Sequence, residues 1–197
     1  MAIRAEYRRA RILDFDCEAR PIAFYGGDFV TKQITAIAWR FIGERSPVEV
    51  HVIGGSYDTR NVLAEERAML LAFVAAYDQA DMVTGHYIRR FDLPLVNGSL
   101  MRLGLPGLKA KMTQDTKDDL RSRHGLSASQ ENLAAMWELK HPKVGMDTAQ
   151  WTEANMLLPR GIEKAKKRVV GDVRQHQELR QKMIDYDVLR APRVWRP

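Results

Sequence analysis

The sequence predicts an α/β fold in which helices cover both faces of a mixed sheet. Three strand-like segments come first along the chain, and helices then alternate with short apolar segments typical of buried strands. That order predicts an antiparallel three-strand meander followed by parallel strands. With 197 residues, the chain is long enough for one well-buried domain and too short for two ordinary ones. We therefore expect a single domain over residues 1–197.

The meander lies at the N-terminal end of the chain. Its strands are predicted at residues 11–18, 33–42 and 48–53. A loop is expected over residues 21–32, because Gly26 and Gly27 lie at its centre. In the second strand, one face is assigned to the alternating apolar residues Ile34, Ala36 and Ala38.

Helices and short strands alternate after the meander. Helices are predicted from a cap at Thr59 or Asn61, over about 92–103, over 127–139 with Ser129 as a cap, and from 161 to about 187. Short strands are expected at 82–84 and within 109–116. We also expect a polar loop over residues 140–150. The tail over 190–197 is rich in Arg and Pro and is expected to be loosely held.

Composition excludes several classes of protein. Hydrophobic residues make up 45% and charged residues 28% of the chain, as is typical of soluble globular proteins. No apolar run approaches the roughly 18–20 residues of a membrane span, and no signal peptide is recognisable. The single cysteine, Cys17, excludes an internal disulfide and fits a reducing, cytoplasmic compartment. The net charge of +6 is compatible with nucleic-acid binding but is weak evidence for it.

Two acids at the end of the first strand form the most informative pattern. Asp16 and Glu18 are two residues apart, so they point to the same face of a strand, roughly 6–7 Å from each other. Carboxylates this close repel unless a cation lies between them. Hard oxygen ligands of this kind suit Mg²⁺ or Mn²⁺ rather than zinc. Asp14 alternates onto the same face and could flank the site.

Asp92 is the second acid of interest, because it opens the helix predicted over 92–103. It follows the Gly85-His86 loop after a buried strand, where α/β folds place ligand-facing loops. A carboxylate also suits the positive end of a helix, so capping is the alternative explanation. The acids at positions 115, 118 and 119 are expected in a solvated turn.

Asp172 interrupts the apolar stripe of the last helix. The stripe steps by three and four residues through Ile162, Ala165, Val169, Asp172, His176, Leu179 and Met183. This spacing turns the Asp172 carboxylate toward the sheet, where an unpaired charge would cost several kcal/mol. Asp172 therefore needs a metal or, as the alternative, a salt bridge with a nearby Lys or Arg. His176 is expected to be a hydrogen-bonded core histidine.

These motifs, taken in order, give the chain a resemblance to the DEDD 3′–5′ exonucleases of the ribonuclease-H-like superfamily. The three matching segments are Asp16-Cys17-Glu18, the Gly-His loop running into Phe-Asp over residues 85–94, and the late-helix Asp within residues 169–173. The resemblance covers roughly residues 8–185. It implies a ribonuclease-H-like sheet with the acids on adjoining elements.

The resemblance also implies a function. Asp16, Glu18, Asp92 and Asp172 would bind two Mg²⁺ or Mn²⁺ ions and hydrolyse phosphodiester bonds from single-stranded 3′ ends. Nucleoside 5′-monophosphates would be released, with DNA the favoured substrate and RNA trimming or structure-specific cleavage the alternatives. The implied partners are a single-stranded DNA or RNA 3′ end and a polymerase or other replication protein. Nucleic-acid contacts are expected from His86, Tyr87, Arg89 and Arg168.

The third motif departs from the family. The family places a Tyr four residues, or a His five residues, before the last Asp to activate water, and this chain has Arg168 and Lys167 there. Neither is a good base near neutral pH, so the enzyme is expected to be slow. Tyr87, His176 or a residue of the 140–150 loop could substitute. The alternative is a catalytically weakened relative that serves as a nucleic-acid-binding or replication-accessory module.

Overall fold

The computed structural model describes residues 10–23, 30–54, 59–120, 125–141 and 143–197. Within these ranges, six strands form one sheet: β1 (Ile12–Ala23), β2 (Val30–Phe41), β3 (Glu49–Val52), β4 (Met82–Gly85), β5 (Lys111–Asp115) and β6 (Arg193–Trp195). Their order in the sheet is β3-β2-β1-β4-β5-β6. The helices described are α1 (Thr59–Gln79), α2 (Asp92–Arg102), α3 (Thr116–Leu120), α4 (Gln130–Met136), α5 (Thr148–Asn155) and α6 (Pro159–Asp185).

The sheet is mixed, as the sequence predicts. Strands β1, β2 and β3 pair antiparallel as a meander, whereas β1, β4 and β5 pair parallel. Parallel neighbours require crossover connections: α1 lies in the connection that leads from the meander to β4, beside β1, and α2 lies in the connection between β4 and β5. The predicted α/β fold class is therefore confirmed.

The alternating residues of β1 separate the two faces of the sheet. Leu13, Phe15 and Cys17 belong to the larger apolar core, where the Phe15 ring lies 4.8 Å from that of Phe73 in α1. The opposite face carries Asp14, Asp16 and Glu18. There, small residues of β2 pack against Val169 and Val173 of α6. Helices thus cover both faces, and the acidic face of β1 is the one that α6 covers.

A β-bulge sits beside the acids. The β1–β2 register shifts between Glu18 and Ala19, which pair with Ala36 and Ile34 respectively. The extra β2 residue reverses the faces, so Ile34 joins the α1-side core while Ala36 packs on the α6 side. The predicted grouping of Ile34 with Ala36 and Ala38 is wrong for this reason. Bulges are common next to functional sites, where they redirect a side chain.

The predicted loop over residues 21–32 is too long at both ends. Strand β1 continues to Ala23 and β2 begins at Val30, while Gly26 and Gly27 fall outside the described residues. Strand β4 pairs only with Ile12–Asp14 of β1. Beyond Asp14, β2 is the strand that the described residues pair with β1, so the other side of β1 is an edge there. An edge of that kind tolerates Pro21, which has no N–H to donate.

Two segments for which the sequence predicts neither helix nor strand contain one. Residues 148–155 form α5, and Asp147 caps it in a capping box with Gln150. The tail, expected to be loosely held, contributes β6, which pairs antiparallel with β5. Trp195 packs against the main core from this strand. A strand at this position covers the edge that β5 would otherwise expose.

The four predicted helices agree with α1, α2, α4 and α6 to within a few residues, whereas α3 and α5 are not predicted. Ser129 caps α4 by accepting a hydrogen bond from the Asn132 N–H, as predicted. Asn61 lies inside α1, so its predicted role as the cap is wrong. Helix α6 begins at Pro159, and its buried face contains Asp172 and His176 within the predicted stripe. No described helix is both long enough and apolar enough to cross a bilayer.

Candidate metal centre

Three carboxylates meet between β1 and α6. Among the described residues, one oxygen each of Asp16, Glu18 and Asp172 lies within 4.8 Å of the others. Asp16 and Glu18 meet because they alternate along one face of β1, and Asp172 faces them because it interrupts the buried stripe of α6. Asp172 is buried, and its Oδ1 has no hydrogen-bond partner. The sequence thus predicts correctly that these three acids lie together.

The electrostatics of this cluster favour an added positive charge. Burial, followed by the charges of Asp92, Asp172 and Glu18, raises the pKa of Asp16 well above its usual value. Burial also raises the pKa of Glu18 and of Asp172, and nearby cations oppose this increase at both carboxyls. Raised pKa values mean that the folded protein resists full ionisation of the cluster. A bound cation would relieve that resistance.

The side chain of Asp92 also contacts strand β1, at Cys17. Its Oδ1 accepts hydrogen bonds from the Cys17 N–H at 3.2 Å and from the Cys17 thiol at 3.0 Å. Burial raises the pKa of Asp92 to about 7. Asp92 is therefore tied to the residue between Asp16 and Glu18, although it lies outside the group of three oxygens. Asp92 does not cap α2 through a hydrogen bond, because Phe91 holds the N-cap position, but its carboxylate does lie in the first turn, at the positive end of the helix.

The loop that delivers Asp92 is held by an acid that the sequence does not single out. Asp115, at the end of β5, accepts hydrogen bonds from the backbone N–H groups of Tyr87, Arg89, Lys117 and Asp118 at 2.9–3.1 Å. Tyr87 has a φ of 76°, an uncommon conformation for a non-glycine residue. Asp115 is buried, so its assignment to a solvated turn is wrong. The position of Asp115 at the end of a predicted strand was the available signal.

Gly85 is required where β4 enters this loop. A Cβ atom at this position would collide with the Ile88 side chain and lie 2.8 Å from the backbone oxygen of Phe15. Strand β4 therefore approaches β1 more closely than any larger residue permits. Because β4 ends this close to β1, the loop that follows it can place Asp92 beside the acidic end of β1.

The loop residues expected to contact nucleic acid differ in their orientation. His86 is hydrogen-bonded through Nδ1 to Thr116 Oγ1 at 2.9 Å, and burial lowers its pKa to about 3, so it is neutral at pH 7. The Arg89 side chain points to β5, where it donates to the hydroxyl and carbonyl oxygens of Thr113. Tyr87 is half-buried, with the Lys117 ammonium 4.1 Å from its ring centroid.

Arg168 enters the acidic cluster. Its Nε donates to Glu18 Oε1 at 2.6 Å and lies 3.8 Å from Asp172 Oδ2. Its Nη1 donates to the Val144 carbonyl at 2.8 Å, and its guanidinium lies 5.2 Å from the centroid of the Trp151 ring. The salt-bridge alternative for Asp172 is therefore present in the structure, although the closer partner of Arg168 is Glu18. Lys167, one residue earlier, is exposed.

The candidate water activators can be compared by their contacts. The two ring nitrogens of His176 are engaged by Asp14 Oδ1 at 2.7 Å and Thr116 Oγ1 at 3.0 Å. His176 is thus the hydrogen-bonded core histidine that the sequence predicts, and Asp14 is its buried partner rather than a flanking metal ligand. From the 140–150 segment, Lys143 lowers the pKa values of the three clustered acids. A cationic Lys cannot accept a proton from water.

The residues present fit a divalent cation. The oxygens are hard carboxylate donors of the kind Mg²⁺ and Mn²⁺ prefer, and the Asp172 side chain, 5% exposed, has one oxygen without a hydrogen-bond partner. A buried carboxylate oxygen without a partner is costly, and a metal ion would satisfy it. The three carboxylates therefore form a candidate metal centre, and the guanidinium of Arg168 is a positive charge of the protein at the same carboxylates.

Comparison with known proteins supports the fold. No protein-family model matches the chain, and no curated protein matches it. Among solved structures, the chain is similar to the family B DNA polymerase from the hyperthermophilic archaeon Pyrobaculum calidifontis, with a TM-score of 0.62 and 19% identity. The match covers 91% of this chain and 25% of the polymerase chain, so this chain spans about a quarter of that protein's length. At this identity the likeness shows the fold alone.

Proposed function

We propose that this protein is a two-metal-dependent 3′–5′ exonuclease acting on single-stranded nucleic-acid ends, with DNA as the favoured substrate. The observation that carries the proposal is the convergence of Asp16, Glu18 and Asp172 oxygens within 4.8 Å of one another. Asp92 adds a fourth carboxylate through its hydrogen bonds to Cys17. The order of these acids along the chain and their placement on β1, α2 and α6 match the resemblance drawn from the sequence.

The four carboxylates would hold Mg²⁺ or Mn²⁺, which would supply an activated water and stabilise charge on the reacting phosphate. The protein itself contributes position. Strand β1 fixes Asp16 and Glu18, Cys17 fixes Asp92, and helix α6 fixes Asp172. Arg168 and Lys143 bring positive charge to the carboxylates, whereas the family uses a Tyr or His to activate water. We therefore expect turnover to be slow, since general-base help is typically worth about 10²–10⁴-fold.

Contacts between cations and aromatic rings beside the acids support a single-stranded substrate. Lys32 lies 4.5 Å from the ring centroid of Phe91, the residue before Asp92. Lys117 lies over Tyr87 in the same loop, and Arg168 lies over Trp151. Ring faces can stack on unpaired bases, and cations can contact phosphates, without regard to sequence. These contacts suit DNA and RNA alike, so both must be assayed.

Degradation of a 5′-labelled single-stranded oligonucleotide tests the proposal. In Mn²⁺ the wild-type protein should produce a ladder of products shortened from the 3′ end, and Asp172→Asn and Asp16→Asn should abolish it. Glu163→Gln is the matched control, because Glu163 is an exposed acid on the same helix as Asp172. An RNA oligonucleotide of the same sequence tests the RNA alternative. The catalytic proposal would be refuted if the wild-type protein left both oligonucleotides intact in Mn²⁺ and in Mg²⁺.

The Arg168–Glu18 ion pair favours a second candidate, a nucleic-acid-binding or replication-accessory module. A guanidinium bound to Glu18 provides charge that would retain phosphate rather than activate water. Fluorescence anisotropy with the same labelled oligonucleotide distinguishes the two. Tight binding that weakens steeply with salt, without any shortening of the strand, would favour the module over the exonuclease.

A further inference from the structure

The guanidinium of Arg168 contacts two of the carboxylates that a metal ion would need, those of Glu18 and Asp172. Its Nε lies 2.6 Å from Glu18 Oε1, a full charge-assisted hydrogen bond, and 3.8 Å from Asp172 Oδ2. Arg168 and Asp172 are four residues apart on α6, so helix geometry holds them on one face. Both members of the Arg168–Glu18 pair are largely buried, with side chains 14% and 15% exposed. The pair is therefore only weakly screened by solvent.

We propose that Arg168 is a built-in competitor for the metal centre, whose guanidinium must release Glu18 before that carboxylate accepts a divalent ion. Arg168 on Glu18 and a metal ion on Glu18 are then mutually exclusive states of one site. This inference rests on the proposed metal-dependent function, and it assigns that function a regulatory contact. The chain's own cation sets the divalent-ion concentration at which the acids become loaded.

The surroundings of Arg168 allow it to leave Glu18 without leaving the site. Its Nη1 is held separately by the Val144 carbonyl at 2.8 Å, and the Trp151 ring lies beside the guanidinium. The hydrogen bond to Val144 does not involve the acids, so it can persist when Nε is released and the guanidinium shifts relative to the Trp151 ring. Lys143, the other cation that acts on the cluster, is paired with Glu131 at 2.7 Å. Arg168 is thus the cation bound directly to Glu18.

Calorimetric titration of the full chain with MnCl₂ tests the proposal. We expect Arg168→Gln to lower the Mn²⁺ dissociation constant by about tenfold, because the ion no longer has to break the largely buried Arg168–Glu18 pair. Arg168→Lys keeps the charge but loses the planar guanidinium with its several N–H donors, so we expect a Mn²⁺ dissociation constant between those of wild type and Arg168→Gln. Arg174→Gln is the control, since it removes an equal charge from an exposed position on α6. It should change the constant by less than about twofold.

The outcomes separate this inference from the proposed function. If wild type binds Mn²⁺ and Arg168→Gln binds within twofold of it or more weakly, the competition is refuted while the metal centre stands. If wild type, Arg168→Gln and Arg168→Lys all fail to bind Mn²⁺, both proposals are refuted. Circular dichroism establishes that each variant is folded. Should Arg168→Gln fail to fold, the comparison of Arg168→Lys with wild type decides, and equal affinity counts against competition.

Tryptophan fluorescence offers a second readout of the same event. Release of Glu18 alters the position of the Arg168 guanidinium over Trp151, so Mg²⁺ should change the emission of the protein. Trp151→Phe should lose most of this change, whereas the other tryptophans (Trp39, Trp137 and Trp195) remain in place. A Mg²⁺-dependent change of the same size in Trp151→Phe would contradict the proposed movement.

Discussion

Asp92 and Cys17 are joined by two hydrogen bonds that end on the same oxygen. The backbone N–H and the thiol of Cys17 both donate to Asp92 Oδ1, at 3.2 and 3.0 Å. Cys17 separates the two acids of β1, so this contact fixes the carboxylate carried by α2 against the strand that carries the others. The thiol acts here as a donor, because burial raises its pKa well above its usual value and keeps it protonated.

Replacing Cys17 should therefore disturb Asp92. Cys17→Ala removes the thiol donor and keeps the backbone donor, so we expect Mn²⁺ affinity to fall by about three- to tenfold and unfolding free energy to fall by about 1–2 kcal/mol. Calorimetry and urea unfolding measure the two effects. Cys17→Ser retains a donor and should lie closer to wild type in affinity. Wild-type affinity in Cys17→Ala would show that the thiol does not position Asp92.

Asp115 should be essential to the loop that precedes Asp92. Asp115→Asn replaces one acceptor oxygen by a donor, leaving some of the four backbone N–H groups unpaired. We expect a loss of about 2–4 kcal/mol in unfolding free energy, since each buried unsatisfied group costs about 1–3 kcal/mol. Asp118→Asn is the control, because its 3.6 Å pairing with Arg90 is partly exposed and worth little. Equal losses in the two variants would argue against the special role of Asp115.

Two glycines should respond to alanine in opposite directions. Gly85→Ala places a methyl group 2.8 Å from the Phe15 carbonyl and against Ile88, so a loss of about 2 kcal/mol or more is expected. Gly98 lies in α2, and a methyl group added there would have nothing within 4 Å, so Gly98→Ala should stabilise by about 0.5–1 kcal/mol. Thermal unfolding of the two variants measures both changes in stability. A harmless Gly85→Ala would contradict the close β4–β1 approach.

Without metal, stability should fall as the pH rises through the titration of the acidic cluster. Asp16, Glu18, Asp92 and Asp172 have pKa values raised in the folded state, chiefly by burial, and that of Asp92 is about 7. The folded state thus binds more protons than the unfolded one between the usual carboxyl pKa and about pH 7. Stability associated with these groups is present below that window and is lost across it. Each group contributes at most about 1.4 kcal/mol per pH unit.

Urea unfolding in EDTA between pH 5 and pH 8 measures this dependence. Asp92→Asn removes one raised carboxyl, so its stability should decline less steeply toward pH 8 than that of wild type. Added Mg²⁺ should stabilise wild type most at the high end of the range, where the acids are ionised. Burial lowers the pKa of His86 from 6.5 to about 3, which makes stability rise with pH over that interval in both proteins, so the difference between them is the test. A decline in Asp92→Asn as steep as that of wild type would contradict the assigned shift of Asp92.

Local sequence patterns predict the parts of this molecule that depend on periodicity. The alternation of β1 places Asp16 and Glu18 on one face, and the helical stripe of α6 turns Asp172 toward them. Both follow from the repeat of a strand or a helix, so sequence suffices. The capping box at Asp147 is also present in the sequence, and it marks the helix α5 that the predicted polar loop omits.

Contacts between distant segments could not be predicted in the same way. The bulge at Glu18 and Ala19 depends on how β1 pairs with β2, and β6 forms because β5 offers it an edge. Arg168 stands out in the sequence as a departure from the family, but its bond to Glu18 joins residues 150 positions apart. Local preferences carry no information about such pairings. The sequence therefore offers a salt bridge between Asp172 and a nearby Lys or Arg as an alternative, but it does not identify Glu18 as the closer partner of Arg168.

The acids of β1, α2 and α6 are proposed to form a divalent-metal centre, on which the exonuclease function depends. Crystals grown with MnCl₂ and measured near the manganese absorption edge test this directly. We expect anomalous peaks for two ions among Asp16, Glu18, Asp92 and Asp172, with the Arg168 guanidinium displaced from Glu18. A map without peaks at these carboxylates, with Arg168 still bound to Glu18, would contradict the proposed centre.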